Sequence, residues 1–124
     1  MNTTVANQSA TDLERIRLQL LKFTKDRNWE QFHTPKNLAI SISVEASELL
    51  SLFQWLNTGK PQELGNSRLT QVREEMADVL MNLIRLADTL DIDLANAVEQ
   101  KLAQNQEKYP ADQVRGDARK YTEY

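Results

Sequence analysis

The amino-acid sequence predicts an all-α protein, a four-helix bundle-type fold in one domain. Apolar residues recur at intervals of three and four over four long segments, as expected for amphipathic helices. The 124 residues include three glycines and three prolines, so breaks between elements are few. No segment has the pattern of a strand. Four helices joined by short connections favour a helical bundle.

The first helix is expected to begin near Thr11. Thr11 and Glu14 match the capping-box pattern, in which two side chains satisfy free N–H groups at a helix start. The apolar stripe of this helix fades near Asn28 and consists of Leu13, Ile16, Leu20 and Phe23. Residues 29–33 form an aromatic-rich connector to the next helix.

The second helix is expected to begin at Pro35 and to end near Leu56. Thr34 offers a side-chain oxygen as N-cap, and proline suits the first helical position, where its missing N–H has no intrahelical partner. A polar loop over residues 57–67 follows, and it contains Gly59 and Pro61. This loop leads into the third helix.

The third helix is expected over residues 68–90, and the fourth begins at an Asp93 cap and ends before Pro110. The flanking segments 1–10 and 111–124 are polar and are predicted to be tails. The helical domain is therefore predicted to comprise residues 11–110.

Composition excludes several classes of protein. The net charge is −3 and the basic residues are scattered, so a nucleic-acid partner is not expected. No apolar run approaches the ~20 residues of a membrane span, and the N-terminal residues do not resemble a secretory signal. The absence of cysteine fits a cytoplasmic protein. The single histidine, His33, excludes a multi-histidine metal site within one chain.

Four carboxylates interrupt the apolar rows of the second and third helices. Glu45 and Glu48 belong to the second helix, and Glu75 and Asp78 belong to the third. Each pair has i, i+3 spacing, which puts both side chains on one side of a helix. One such pair alone more often marks a solvated face, but a solvated face would not interrupt the apolar rows of both helices.

A divalent cation is the natural partner for these acids. Carboxylates enter apolar surroundings only when their charge is compensated, and the sequence offers little fixed positive charge nearby. Mg²⁺ takes oxygen ligands and commonly bridges carboxylates to substrate phosphates. The sequence therefore predicts a Mg²⁺-dependent enzyme that acts on a phosphorylated substrate.

The second and third helices are apolar on more than one face. The third helix alone carries a large apolar set that one small bundle cannot cover: Leu69, Val72, Met76, Val79, Leu80, Leu83, Ile84, Leu86 and Leu90. We therefore expect a homo-oligomer, a dimer or tetramer, with these helices at its interface.

In chain order, these motifs resemble a known family. The two acidic pairs precede a helix that ends in Lys-x-x-x-Asn-x-x-Lys-Tyr-Pro at residues 101–110, a combination similar to the MazG-like, all-α nucleoside triphosphate pyrophosphohydrolases. Three further segments resemble the dCTP pyrophosphatase branch: Asn-Trp-Glu-Gln-Phe-His at 28–33, Leu-Phe-Gln-Trp at 52–55 and Arg-Lys-Tyr-Thr-Glu at 119–123. The resemblance covers about residues 12–123.

The resemblance implies Mg²⁺-dependent hydrolysis of a nucleoside triphosphate, expected to be dCTP or a modified dCTP, to the monophosphate and pyrophosphate. Such a reaction serves nucleotide-pool sanitation. It implies that the metal-binding and catalytic residues are Glu45, Glu48, Glu75 and Asp78. It also implies that Trp29, His33 and Trp55 line the base pocket. Lys101, Asn105 and Tyr109 would approach the phosphates or the sugar of the substrate.

Three positions depart from the family pattern. Val44 replaces a glutamate of many members, a loss that the dCTP branch shares. Ser51 stands where relatives often carry another acid. Asn82, which we include among the substrate-binding residues, stands where an animal dCTP enzyme has tyrosine. The last two positions bear on the choice of base rather than on the reaction.

Several alternatives stay open. Glu74 and Glu48 are both candidates for orienting the attacking water, although Glu74 has the pattern of a solvent-facing acid. The enzyme could instead be a broader pyrophosphatase acting on dUTP, dATP or damaged nucleotides. A non-enzymatic helical oligomer would leave the acids merely exposed. A di-iron or di-manganese carboxylate protein is disfavoured because suitable histidines are lacking.

Overall fold

The computed structural model describes residues 2–119 and 121–123. Its elements are all helical, and no strand occurs in this part of the chain. The helices are α1 (Asn2–Asp26), α2 (Pro35–Ser51), α3 (Pro61–Thr89), α4 (Leu94–Lys108) and the single turn α5 (Ala111–Val114). Two 3₁₀ turns cover Glu30–Phe32 and Tyr121–Glu123. The predicted all-α class is confirmed.

Helix α1 begins at Asn2, well before the predicted start at Thr11. The expected capping box was therefore wrong, because Thr11 lies inside the helix. The segment from Asn2 to Asp26 contains neither proline nor glycine, so no residue type in it breaks the helix. Beyond Asp26 the chain turns, and Asn28 takes a positive φ of 55°.

The predicted caps of α2 and α4 are confirmed. Thr34 Oγ1 accepts the backbone N–H of Asn37 at 3.2 Å, with Pro35 in the first helical position. Asp93 Oδ1 accepts the backbone N–H of Asn96 at 3.0 Å. Each cap satisfies an N–H group that has no partner within its helix.

The connection between α2 and α3 differs from the prediction. Helix α2 ends at Ser51 rather than near Leu56, and the following residues form tight turns in which the Leu56 N–H donates to the Phe53 carbonyl at 2.8 Å. Helix α3 begins at Pro61 rather than at residue 68, and Gly65, at φ 75°, interrupts its helical geometry. Proline can start a helix and glycine can adopt positive φ, so part of the predicted loop is helical.

The chain divides into two compact units, the first ending at Ile92 and the second beginning at Asp93. In the first unit, α1 and α2 both pack against α3. Four apolar side chains are buried there: Leu38, Val72, Ile84 and Ala87. Many larger apolar residues are exposed. None of the described helices has the length and apolar character required to cross a bilayer.

The second unit contains α4 and the segment after Pro110. Helix α4 ends before Pro110, as the sequence predicts. The predicted tail, residues 111–124, includes the turn of α5 and a 3₁₀ turn, so it is less irregular than expected. Within it, the guanidinium of Arg119 pairs with the carboxylate of Asp117 at 2.6 Å.

Candidate metal centre

Three of the four predicted acids converge in the first unit. Glu45 and Glu48 project from α2, and Glu75 projects from α3. One carboxylate oxygen from each lies within 4.8 Å of the other two. The i, i+3 spacing brings the α2 pair to one side of the helix, and the packing of α2 on α3 brings Glu75 to them. Residues distant in sequence thus form one acidic cluster.

The cluster holds uncompensated negative charge. Glu45 and Glu75 are partly buried, and the Oε2 atom of each is buried without a hydrogen-bond partner among the described residues. The Glu75 carboxyl beside it, together with burial, raises the pKa of Glu45. A side-chain hydrogen bond with Glu48 opposes this shift. Like charges held this close favour protonation or a bound cation.

Basic side chains of the described residues form no ion pair with this cluster. The donor set is made of carboxylate oxygens alone, which suits a hard divalent cation such as Mg²⁺. Unpaired, buried oxygens on two different helices are the feature that a bridging cation would satisfy. These residues therefore fit a metal ion.

Asp78, the fourth predicted acid, lies outside the group of three close oxygens. It is partly buried on α3, and its charge helps to raise the pKa of Glu45, so it lies near the cluster. Asn82 is one helical turn further along α3 and is also partly buried.

The two tryptophans of the predicted base pocket have different environments. Trp29 is 43% exposed and packs edge-on against Phe23, with ring centroids 5.8 Å apart. The guanidinium of Arg27 lies 3.7 Å from the centre of the same Phe23 ring. Trp55 is 88% exposed in the turns after α2. Trp29 thus has a packing role in this chain, whereas Trp55 has almost none.

His33 caps the 3₁₀ turn before α2 and is partly buried. Burial lowers the pKa of His33, and the positive charge of Arg85 acts in the same direction. Both effects favour the neutral form of the imidazole. Its Nδ1 atom and the Nε atom of Arg85 are both buried without a partner among the described residues.

The other predicted substrate residues belong to the second unit. Lys101, Asn105 and Tyr109 recur every four residues, so they follow one side of α4 to its C-terminal end. Lys101 is exposed, and Asn105 and Tyr109 are partly buried. The Tyr109 N–H donates to the Asn105 carbonyl at 2.8 Å and closes the helix.

Sequence reasoning missed a second charged group on α3. Asp88 accepts hydrogen bonds from Arg17 at 2.9 Å and from Arg85 at 3.0 Å. The i, i+3 spacing of Arg85 and Asp88 could be seen in the sequence. The partner on α1 could not, because Arg17 is 71 residues from Asp88.

Comparison with known proteins identifies the class to which this fold and site belong. The model of the MazG-like family matches residues 40–124. A pyrophosphatase from Archaeoglobus fulgidus DSM 4304 has a similar crystal structure, with a TM-score of 0.74 and 42% identity, covering 80% of this chain and 93% of that one. The chain belongs to the MazG-like family, so the resemblance found in its motifs is confirmed.

The similarity extends to curated mammalian proteins. The protein named dCTP pyrophosphatase 1 from Homo sapiens is 42% identical over 113 residues, which are 90% of this chain and 66% of the human protein. The protein of the same name from Bos taurus is 38% identical over 117 residues, which are 93% of this chain and 69% of that protein. The chain thus spans about two thirds of the length of these relatives.

Proposed function

We propose that this protein hydrolyses a nucleoside triphosphate, dCTP or a modified dCTP, to the monophosphate and pyrophosphate in a Mg²⁺-dependent reaction. Such an enzyme would remove unwanted nucleotides from the cellular pool, and we expect it to act in the cytoplasm, where that pool is made. The observation that carries the proposal is the convergence of three carboxylates with unpaired, buried oxygens. Membership of the MazG-like family and the name of the mammalian relatives support the reaction and the base.

The four acids would hold the metal, three through the close oxygens of Glu45, Glu48 and Glu75, and the fourth through Asp78. When bound, Mg²⁺ supplies neutralisation of phosphate charge and activation of water. Without such an ion, these carboxylates would repel a triphosphate. Water would then attack the α-phosphorus, and the bond from that phosphorus to the bridging oxygen of pyrophosphate would break.

Glu48 is better positioned than Glu74 to orient the attacking water. Glu48 belongs to the cluster and is exposed, so water can reach it. Glu74 is also exposed but is adjacent to Glu75 in sequence, which turns its side chain about 100° around the helix from that ligand. The solvent-facing role of Glu74 is therefore the simpler interpretation.

Recognition of the nucleoside is assigned to the predicted pocket residues. Trp29 and Trp55 offer flat aromatic faces, and aromatic stacking stabilises a bound base by about 1–3 kcal/mol. The imidazole of His33 would offer a hydrogen bond to the base, and Asn82 follows Asp78 along α3. Lys101, Asn105 and Tyr109 would contact phosphates or sugar from α4.

Exposed apolar residues on α2 and α3 support assembly into a dimer or tetramer. Ile40 and Val44 on α2 are 54% and 49% exposed, and Met76 and Leu80 on α3 are 58% and 42% exposed. These side chains are exposed on the two helices that carry the acids, and exposed apolar surface commonly marks protein interfaces. Sedimentation at micromolar protein concentration tests the oligomeric state, and an active monomer would contradict the proposed assembly.

The experiment for the proposed reaction is a panel of nucleoside triphosphates incubated with Mg²⁺, with products separated by chromatography. We expect pyrophosphate and dCMP from dCTP, and no turnover in chelator. Orthophosphate as the first product, or full activity in chelator, would refute the mechanism. A di-iron protein would be recognised by its absorption spectrum.

A broader pyrophosphatase is the second candidate. The observation in its favour is the 88% exposure of Trp55, which leaves this base wall open within one chain. Comparable kcat/KM values for dCTP, dUTP and dATP in the same panel would support the broader enzyme.

A further inference from the structure

Arg85 on α3 and His33 before α2 each bury a polar nitrogen that has no hydrogen-bond partner among the described residues. These atoms are Nε of Arg85 and Nδ1 of His33. The Arg85 side chain is 8% exposed, and its Nε–H group is shielded from solvent. A buried polar group without a partner costs free energy, and folded proteins rarely leave one unsatisfied. Two such atoms in one compact unit are therefore candidates for pairing with each other.

The direction of α2 against α3 bears on whether the two residues can meet. Glu45 and Glu48 of α2 converge with Glu75 of α3. Ser51, further along α2, lines the same cavity as Arg68, which is nearer the start of α3. The two helices therefore run antiparallel, so the beginning of α2 lies against the end of α3.

The positions along these helices bring His33 and Arg85 to the same level. Pro35 lies ten residues before Glu45, and Arg85 lies ten residues after Glu75. At a rise of about 1.5 Å per residue, both lie about 15 Å from the acidic cluster, towards the same end of the helix pair. His33 precedes Pro35 by two residues, and the charge of Arg85 acts on its imidazole, as expected for neighbours.

Asp88 holds the guanidinium of Arg85 through a different nitrogen. The Nη1 atom of Arg85 donates to Asp88 Oδ2 at 3.0 Å, and Asp88 Oδ1 accepts from Arg17 of α1 at 2.9 Å. Asp88 thus ties the Arg85 guanidinium to a second helix. The Nε–H group of Arg85 takes no part in this pairing, and it can only donate. The guanidinium is therefore fixed in place with one buried donor that an acceptor would satisfy.

The imidazole of His33 offers such an acceptor. In the neutral ring one nitrogen carries the proton and the other accepts, and the hydrogen bond made by one nitrogen decides which. A positive guanidinium beside Nδ1 favours a lone pair on that nitrogen rather than an N–H group. The proton then resides on Nε2, which faces away from Nδ1. Burial and the charge of Arg85 both lower the pKa of His33 and favour the neutral ring that this pairing requires.

We propose that Arg85 is a positioning residue for His33: its Nε–H group donates to Nδ1, directly or through one water, and keeps the imidazole in the tautomer with its proton on Nε2. The ring then offers Nε2–H as a donor, so it can hydrogen-bond a ligand atom with a lone pair but not another N–H group. This consequence for a ligand rests on the proposed function, in which His33 contacts the nucleotide. The pairing of the two side chains does not.

The chain has a single histidine, so ¹⁵N NMR of the labelled full chain reports the ring of His33 alone. Spectra are recorded in chelator at about pH 8, above the ordinary histidine pKa of about 6.5, so that the ring is neutral. Wild type should show one tautomer, with the proton on Nε2 and the two ring nitrogens widely separated in chemical shift. Arg85→Met should bring the two shifts together, because an unpaired imidazole exchanges between tautomers. Unchanged shifts in Arg85→Met would overturn the proposal.

Arg17→Met is the matched control, because Arg17 pairs with the same Asp88 carboxylate, whereas the charge that acts on His33 is that of Arg85. Both variants lose an ion pair of Asp88 and should melt below wild type, but Arg17→Met should keep the wild-type ring shifts. Equal changes in the two variants would attribute the effect to the lost ion pair and refute the role of Nε.

The wild-type spectrum decides the question even if Arg85→Met fails to fold. A proton on Nδ1, or shifts averaged between the two tautomers, would contradict the proposed pairing. Because the spectra require neither metal nor turnover, they are separate from the nucleotide panel, which tests the proposed reaction.

Discussion

Helix α3 carries two charged groups that differ in how their charge is satisfied. Near its middle, Glu75 lies with Glu45 and Glu48, and buried oxygens have no partner in the described chain. Near its end, Asp88 receives guanidinium groups from Arg17 and Arg85 at 2.9 and 3.0 Å. In the second group, the carboxylate of Asp88 is paired with positive charge from the same chain. The first needs a ligand, which is what distinguishes a site from a structural ion pair.

The largest expected effect on stability comes from breaking the ion pairs of Asp88. Asp88→Ala leaves Arg85, whose side chain is 8% exposed, without its carboxylate. Removal of one partner from a buried pair typically costs 3–5 kcal/mol, and we expect about 3 kcal/mol because the Asp88 side chain is 19% exposed. Chemical denaturation of wild type and Asp88→Ala measures the difference in the free energy of unfolding.

Asp26→Ala is the control for that measurement. Asp26 pairs with Lys22 at 2.8 Å, but both side chains are more than half exposed. Such a pair contributes less than about 1 kcal/mol. If the two variants lost equal stability, the ion pairs at Asp88 would not be the buried, structural feature described above.

The next substitution should leave the folding stability unchanged or raise it. Glu45→Gln should abolish activity but leave the metal-free protein as stable as wild type or more so, because it removes repulsion within the cluster. Wild type should gain about 2.7 kcal/mol at a Mg²⁺ concentration 100 times its dissociation constant, and the variant should lose much of this gain. Asp78→Asn should behave in the same way.

Thermal melts in chelator and in Mg²⁺ measure both effects. A melting temperature well below that of wild type in chelator would mean that these carboxylates make structural contacts instead. The metal assignment would then be wrong, and the difference between the two charged groups of α3 would disappear.

Glu63 makes a smaller contribution to folding stability, and that contribution depends on pH. Three backbone hydrogen bonds, from Asn57, Thr58 and Gly59, lower its pKa to about 2, below the unfolded value near 4.5. A carboxyl group with a lowered folded pKa stabilises the protein above the unfolded pKa, and this contribution is lost as pH falls from about 4.5 towards 2. The stability difference between wild type and Glu63→Gln should therefore be largest near neutral pH and shrink over that range. A difference independent of pH would contradict the assignment.

Trp55→Ala should have the smallest effect on stability, within about 0.5 kcal/mol, because Trp55 is 88% exposed. It should nevertheless raise the KM for the nucleotide, on the order of tenfold if stacking contributes as in other base sites. Trp29→Ala is the comparison, since Trp29 packs on Phe23 and its loss should also lower the melting temperature. Unfolding of Trp55→Ala would identify Trp55 as a core residue and refute its role in the pocket.

Local features of the structure were predictable from the sequence, and features that depend on distant contacts were not. The caps at Thr34 and Asp93 are formed by residues three positions from their partners, so the sequence contains the whole interaction. The acidic pairs were likewise visible through their spacing. The convergence of Glu45 with Glu75 required α2 to pack on α3, which only the apolar rows suggested.

The errors have the same origin. The start of α3 lies at Pro61, after turns whose N–H groups donate to the Glu63 carboxylate, and the sequence shows only a polar loop there. The pairing of Arg17 with Asp88 was missed because the two residues are 71 positions apart in the sequence. The bundle arrangement of all four helices and the oligomeric state stay predictions.

The turns that carry Trp55 also affect the entropy lost when a partner binds to this residue. Glu63 fixes three successive N–H groups beyond Trp55, and Gly59, at φ 72°, packs so close to Phe53 that an added Cβ would lie 2.5 Å from its ring. The backbone on which Trp55 stands is therefore already ordered before anything binds. Immobilising a side chain costs about 0.5–1.5 kcal/mol, so a partner that covers Trp55 orders little more than one indole ring.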